Sequence, residues 1–307
     1  MKFRELFAKE GLSLDRLRTL VLVDEAGSIA AAAPDDRNRQ SLFSRQINEL
    51  ERFFPVALKR MHGRTVQLTH AGRELALIAR QYLHELDNFR RHCASLPPEV
   101  SLAAGDSLLQ WLVLPNLPQV RADTPEFVWH LHNEQNADIG RSLLEQSLDF
   151  GLLRTDLVRH RLDSQPLGSF GYRLFVPRTL GPAAAKLPLA RALAELPIAT
   201  QGDDTLFQRR LVEILATKRW PLNARLYCDS FSHVVQAIES GAYAGILPDY
   251  MSRNASLSEA HTLPLTGAFD DLRRHIVLAW NPQRLAKQPI LEKARAALAK
   301  HLSQPKR

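Results

Sequence analysis

The chain has 307 residues, 45% hydrophobic and 24% charged, with a formal net charge of +7. That length and balance suit two or three packed units and exclude a disordered chain. No stretch approaches the ~18 consecutive apolar residues of a membrane span, and Met1 to Arg16 alternates charge with short apolar runs. The sequence therefore predicts neither membrane insertion nor an export signal and points to the cytoplasm. Cys93 and Cys228 stand far apart in apolar or helical contexts, giving neither a disulfide framework nor a metal spacing. Both are expected to be structural, with a sensing role left open for Cys228.

Residues 28–72 read as a small DNA-reading unit. A short Ala-rich helix (Ser28 to Ala33) is followed by a polar turn (Pro34 to Arg39), a second helix (Gln40 to Phe53) and a basic hairpin closing on Leu68-Thr69. Leu42, Phe43, Ile47, Leu50 and Phe54 recur at three- and four-residue steps and predict a buried face. Gln40, Ser41, Ser44, Arg45 and Asn48 fall opposite, a set rich in donors that reach base edges and phosphates. Any amphipathic helix also carries polar residues outside, so the hairpin decides between the readings. Lys59, Arg60, His62 and Arg64 surround Gly63, where a tight turn is expected. From Arg37 to Arg64 there are seven Lys/Arg against two acids, most of the chain's net positive charge in one window. Such concentration suits a wing that neutralises phosphates and releases their counterions.

Pro34 interrupts the first of these helices, because a proline inside a helix costs ~3 kcal/mol or more. The helix is expected to stop or restart there, with Asp35 and Asp36 favourable near a helix start. Two acids beside a DNA-facing turn repel phosphate, and Ala30 and Ala31 offer no polar group to the backbone, so DNA binding is expected to be weakened or altered.

From Ala71 to Leu96 the chain reads as one long helix ending at Pro97-Pro98. Leu75, Ile78, Ala79, Tyr82, Leu86 and Phe89 fall on one stripe, with Arg73, Arg80, Glu85, Arg90 and Arg91 mostly outside it. Either this stripe packs on its own domain or it pairs with the same helix of a second subunit. Its length favours pairing, which would place two reading helices on two half-sites.

Beyond Pro98, short strands alternate with helices, the signature of a parallel α/β architecture. Strands are predicted at 100–104, 127–132, 150–153, 172–176, 198–201, 226–228, 245–247 and 276–280, and helices at 108–122, 137–146, 189–196, 205–216, 231–240 and 290–302. Ligands of such sheets bind beyond the strand carboxyl ends, where helix N-termini present free N–H groups. Ser107, Arg154, Gln201, Ser230 and Phe231 lie at such ends and are the candidate ligand residues. Ser107, Thr205 and Ser230 are also good helix caps. Asp106, Asp203 and Asp229 disfavour a purely anionic ligand while Arg154 attracts a carboxylate, so an amphoteric or polar small molecule is expected. His130 and His132 share a strand face but have no third metal ligand nearby, and no nucleophile elbow, phosphate loop or Cys-His pairing is present. The chain is not expected to be an enzyme or to need a cofactor.

Several of these segments resemble a known family. Leu17-Arg18-Thr19-Leu20, Ala26-Gly27-Ser28-Ile29, Gln40, Ser44-Arg45-Gln46-Ile47, Glu49-Leu50-Glu51 and Leu68-Thr69-His70-Ala71-Gly72 look like the N-terminal winged helix-turn-helix of LysR-type transcriptional regulators. Leu148 to Arg154, Leu174 to Pro177 and Ala237 to Pro248 resemble, more loosely, the effector-binding domain of the same family. The resemblance implies an α/β multidomain fold: a winged helix-turn-helix over 1–70, a linker and dimerisation helix over 71–96, and a periplasmic-binding-protein-like domain over 97–307. That last domain would have two lobes, 97–166 with 266–307 and 167–265, joined by two crossing strands. The DNA-binding candidates are Gln40, Ser41, Ser44, Arg45, Arg60, Arg64 and Thr69. The implied partners are double-stranded DNA, a small-molecule effector and a second copy of the chain, as a dimer or tetramer. A ligand-binding or protein-interaction module with a degenerate DNA-binding domain is the alternative.

Overall fold

The computed structural model describes residues 4–63, 65–202, 205–253 and 255–303. The chain divides into two compact units, Met1–Pro98 with Glu145–Ser147, and Glu99–Leu144 with Leu148–Arg307.

In the first unit, α1 (Leu14–Ala26) is capped by the Ser13 hydroxyl and stops at Gly27, which adopts the left-handed conformation that L-residues avoid. The Ser28 hydroxyl caps the short α2 (Ile29–Ala32). The chain then turns through Asp35, at a φ of 60°, into α3 (Arg37–Phe53). The stop expected at Pro34 is therefore present, but α3 begins at Arg37 instead of Gln40. The reason is Asp36, whose carboxylate accepts the Arg39 N–H at 2.9 Å and so satisfies a donor at the helix start. Asp36→Ala is expected to cost ~1 kcal/mol of stability. Chemical denaturation of the purified protein measures it, and an unaltered midpoint would deny Asp36 this role.

The buried stripe of α3 is Phe43, Ile47, Leu50 and Phe53. Leu42, expected inside, is exposed, because it stands one residue step off the 43–47–50 line. Phe54 leaves the helix in extended geometry and meets Phe53 edge to face, so Phe53 takes the core position. The wing is an antiparallel pair, β1 (Lys59–His62) and β2 (Thr65–Leu68), turning at Gly63 with a φ of 59°. Leu17, Leu20, Ile47, Leu50, Leu58 and Leu68 join in one core that ties α1, α3 and the wing together.

Next comes α4 (His70–Cys93), 24 residues long. Gly72 lets its first turn approach the Leu58 carbonyl so closely that a Cβ there would lie 2.1 Å from the oxygen. Arg80, expected among the outward polar residues, is buried; its guanidinium joins Asp24 at 3.0 Å and Glu25 at 3.4 Å, fastening α4 to the end of α1. Ile78, Tyr82, Leu86 and Phe89 instead face outward along the helix.

The second unit contains two sheets. Its first lobe runs β3 (Glu99–Ala104), α5 (Asp106–Leu108), a π turn (Leu109–Val113), α6 (Leu114–Asp123), β4 (Val128–Asn133), α7 (Asn136–Leu144), β5 (Phe150–Arg154) and β6 (Asp163–Phe170). The second lobe runs β7 (Tyr172–Val176), α8 (Leu189–Glu195), β8 (Ile198–Gln201), α9 (Leu206–Lys218), β9 (Ala224–Cys228), α10 (Phe231–Glu239), β10 (Ala244–Pro248) and β11 (His261–Leu265). The chain then returns to the first lobe with β12 (Arg274–Trp280), α11 (Pro282–Lys287) and α12 (Leu291–Leu302). The sheet orders are β4-β3-β5-β12-β6 and β11-β7-β10-β8-β9. In the first, β3, β4 and β5 are mutually parallel and β12 runs antiparallel to both its neighbours.

Two strands escape the sequence pattern, β6 and β11. Both carry prolines, and β6 also holds Gly168, so neither shows apolar alternation. Because β6 stays in the first sheet up to Phe170, the crossing lies at Gly171 and not at residue 167. The helix expected over 108–122 is instead the run of α5, π turn and α6, with Pro at the start of α6 and Pro118 inside it. Asp149, buried at the entry to β5, accepts from the Ser101 N–H, the Ser101 hydroxyl and Arg284 Nε, all at 2.9 Å. In the second lobe, Gly245 admits α10 onto β10, since a Cβ there would sit 2.7 Å from Ile238 and 2.8 Å from Val234.

Candidate DNA interface and ligand cavity

Six of the seven candidate DNA-binding residues are described and fall into two groups. Three are occupied within the fold. The Gln40 amide donates to the Ala33 carbonyl at 2.8 Å and ties the start of α3 to the end of α2. The Ser44 hydroxyl accepts from the Lys59 ammonium at 2.6 Å, and the same ammonium reaches the Ser44 carbonyl at 3.0 Å. The Thr69 hydroxyl donates to the Ala57 carbonyl and accepts the Gly72 N–H, which makes it a joint between wing and α4. Ser41, Arg45 and Arg60 are exposed and hold no side-chain partner among the described residues. Arg64 lies outside the described residues.

Lys59 was counted in the sequence only as wing charge. In the fold it pins the wing to the reading helix, half-buried, and burial lowers its pKa against the opposing pull of Glu51. Glu51 fixes the same corner by accepting the Leu58 and Lys59 N–H groups at 2.7 and 3.1 Å. A pinned wing holds Arg60 in a constant position relative to Arg45, which a loose basic run would not do. Arg39, in the first turn of α3, stacks over the Phe43 ring at 5.3 Å.

In the second unit a cavity of about 1670 Å³ lies along the strands that cross between the lobes. Of the five candidate ligand residues it is lined by Arg154 and not by Ser107, Gln201, Ser230 or Phe231. Arg154 reaches it from the end of β5, forked onto Asp156. Ser107 does not cap a helix; Gly105 holds that position without a side-chain bond, and Ser107 lies beside the Tyr250 hydroxyl. Gln201 ends β8, half-buried. Thr205 and Ser230 do cap α9 and α10, accepting N–H groups at 3.1 and 3.3 Å.

Phe231 is buried within a chain of rings. It stands 5.5 Å from Phe207 and 6.1 Å from Tyr172, and Tyr172 in turn lies 4.5 Å from Phe207 and 5.8 Å from Phe170. Ser232 donates to Asp106, with Gln110 at 2.9 Å, across the same gap between lobes. Rings and hydrogen bonds therefore occupy part of the region where the helix N-termini are expected to meet a ligand. The open volume lies beside Arg154, along with Arg173, Arg273 and Arg274, which the sequence did not single out. Burial pushes the Tyr172 hydroxyl up to about 12, so it lines the cavity as a neutral donor.

Cys228 is buried, and burial with the neighbouring Asp229 raises its thiol pKa, which disfavours the reactive thiolate. His130 and His132 are exposed on β4, and among the described residues no group of three His, Cys, Asp or Glu could hold a metal ion. No helix among the described residues is long and apolar enough to cross a membrane.

A winged helix-turn-helix followed by a two-lobed α/β unit with an internal cavity defines a protein that couples DNA reading to small-molecule sensing. Two family patterns match: "Bacterial regulatory helix-turn-helix protein, lysR family" over residues 14–73 and "LysR substrate binding domain" over residues 94–303. The chain belongs to the LysR family of transcriptional regulators. It is 24% identical over 248 residues to the nitrogen assimilation regulatory protein nac of Escherichia coli, covering 79% of this chain and 80% of that protein. It is 27% identical over 166 residues to the transcriptional regulator MetR of Salmonella typhimurium, covering 53% and 52%. Among solved structures it is similar in fold to ArgP from Mycobacterium tuberculosis, with a TM-score of 0.66, 19% identity and 96% and 99% coverage. A CbnR structure in complex with its target DNA matches with a TM-score of 0.59, 18% identity and 93% and 100% coverage. The relatives are regulators and not enzymes, and this chain is a LysR-type transcriptional regulator with an effector-binding domain.

Proposed function

We propose that this chain works in the cytoplasm as a homodimer that holds a pseudo-palindromic operator and responds to a small molecule bound in its second unit. In each subunit α3 enters the major groove with Ser41 and Arg45 toward base edges, while Arg60 of the wing rests on a flanking phosphate. Gln40, Ser44 and Thr69 hold helix and wing in register, and the free Ser44 hydroxyl hydrogen remains available to a phosphate. The observation that carries this reading is the exposure of Ser41, Arg45 and Arg60 beside a wing that Lys59 fastens to α3. The CbnR–DNA complex supports DNA as the partner. The outward stripe of Ile78, Tyr82, Leu86 and Phe89 on α4 supports pairing of two copies. Asp36 caps α3 and leaves the reading helix whole, which favours this reading over a module that no longer reads DNA.

Arg45→Ala is expected to weaken operator binding by ~1–3 kcal/mol if the side chain contacts a base. Fluorescence anisotropy with operator and scrambled duplexes at several salt concentrations measures it. Equal operator affinity in the variant would remove Arg45 from the interface. Affinity of the parent protein indifferent to both salt and sequence would sink the DNA-binding reading, since phosphate neutralisation requires a negative salt slope.

A further inference from the structure

The cavity of the second unit is charged in an unusual way. Four arginines line it, Arg154, Arg173, Arg273 and Arg274, against two aspartates, Asp156 and Asp249. Asp156 is taken by Arg154, and Asp249 accepts the Gly171 N–H at 3.1 Å. Among the described residues the other three arginines have no carboxylate partner. Arg173 Nε is buried with no hydrogen-bond acceptor. Arg273 reaches only the Ser169 hydroxyl at 3.4 Å, and Arg274 only main-chain carbonyls at 3.4 and 3.5 Å, at the outer limit of a hydrogen bond. Burial lowers the pKa of Arg274; Tyr172 and, more weakly, Asp156 oppose it, while Arg154 and Arg210 push it further down. Arg173 and Arg274 are half-buried and Arg273 is exposed at the cavity mouth. A guanidinium partly withdrawn from water without a paired counter-charge is costly, and each is a rigid fork shaped for carboxylate or phosphate oxygens.

We propose that this cavity binds a small organic dianion, a dicarboxylate or a phosphate ester, through Arg173, Arg273 and Arg274. The ligand supplies the charge that the protein withholds: two negative charges match the excess of arginine over aspartate. Tyr172 adds a neutral hydroxyl donor, and the buried Tyr250 hydroxyl, beside Ser107, also lines the cavity. This replaces the amphoteric ligand expected from Asp106, Asp203 and Asp229, because Asp106 and Asp229 do not line the cavity and Asp203 lies outside the described residues. The inference rests on the effector-sensing reading given above.

The test uses the full-length protein with succinate, inorganic phosphate, acetate and succinamide at matched ionic strength, followed by calorimetry and thermal unfolding. Succinate or phosphate is expected to bind at least about tenfold tighter than acetate and to raise Tm by about 5 °C at ~100-fold excess over Kd. Succinamide is expected to do neither. Preference for succinate identifies a dicarboxylate site and preference for phosphate a phosphate-ester site; both support the proposal. Arg173→Gln and Arg274→Gln should each weaken dianion binding at least about tenfold, with an unliganded Tm equal to or above that of the parent, since repulsion is relieved. Dianions no better than acetate would overturn the proposal. So would variants whose unliganded Tm falls, because the arginines would then be structural. Operator binding by the same preparations separates the two readings. Intact operator binding without dianion preference removes this inference alone; dianion binding without operator binding removes the regulator reading alone.

Discussion

Ile78→Glu combined with Phe89→Glu is expected to convert the protein to a monomer in analytical ultracentrifugation and to lower its operator affinity by about 10²–10⁴-fold. Ile78 is 61% exposed and Phe89 67% exposed in the single chain, so neither replacement removes core packing. Between them lie Tyr82 and Leu86, also exposed, giving a continuous apolar strip at three- and four-residue steps on a 24-residue helix. A strip of that length left in water is unfavourable at ~25 cal/mol per Å² of apolar surface, and in the proposed dimer a second copy of the same helix would cover it. Carboxylates in the seam would have to be desolvated without partners, which the dimer cannot tolerate. The affinity loss follows because the two reading helices no longer share one binding event, while binding to a single half-site persists. Helical content by circular dichroism should not change. A dimer that survives both substitutions would place the subunit contact elsewhere.

Asp149→Ala is expected to destabilise the second unit by ~3–5 kcal/mol, the usual cost of removing one partner from a buried ion pair. Asp149 is 4% exposed; its carboxylate holds β3 through Ser101 and α11 through Arg284, so its loss strands a guanidinium and two donors together. Differential scanning calorimetry reads the effect as a Tm lowered by about 10 °C for a unit of this size. Asp149→Asn, which keeps an acceptor for Ser101, should lose less. A Tm unmoved by the alanine variant would show that Ser101 and Arg284 find other partners at no cost.

Much of the molecule was legible where its cause is local. The 43–47–50 stripe of α3, the turn at Gly63 and the long α4 follow from periodicity and from the backbone freedom of particular residues. The concentration of arginine and lysine between Arg37 and Arg64 marked the wing without any knowledge of its fold. The break at Pro34 was equally plain, since a missing N–H has the same consequence in every context. Its resolution was not: only the geometry of Asp35 and Asp36 shows that the chain turns and starts α3 three residues early.

The roles of individual candidates needed the folded chain. Gln40, Ser44 and Thr69 look like DNA donors in the sequence, yet each spends a hydrogen bond on a neighbour brought close by the turn, the wing or α4. Arg80 reads as an outward charge by position and is buried because Asp24 and Glu25 of α1 meet it there. β6 and β11 have no alternation to betray them, being held by pairing with β12 and β7.

Composition and periodicity by themselves determined most helices and strands, the basic wing and the two-part organisation, because each depends on residues a few positions apart; α1 and α11 were not among them. The tertiary structure alone decided where the cavity lies. Arg154 and Arg274 are 120 positions apart and meet because β5 and β12 pair antiparallel with Ile276 opposite Arg154, while Arg173 arrives from the first strand after the crossing. Charges that repel one another are gathered at one place only by the pairing of distant strands, and no local pattern records that pairing.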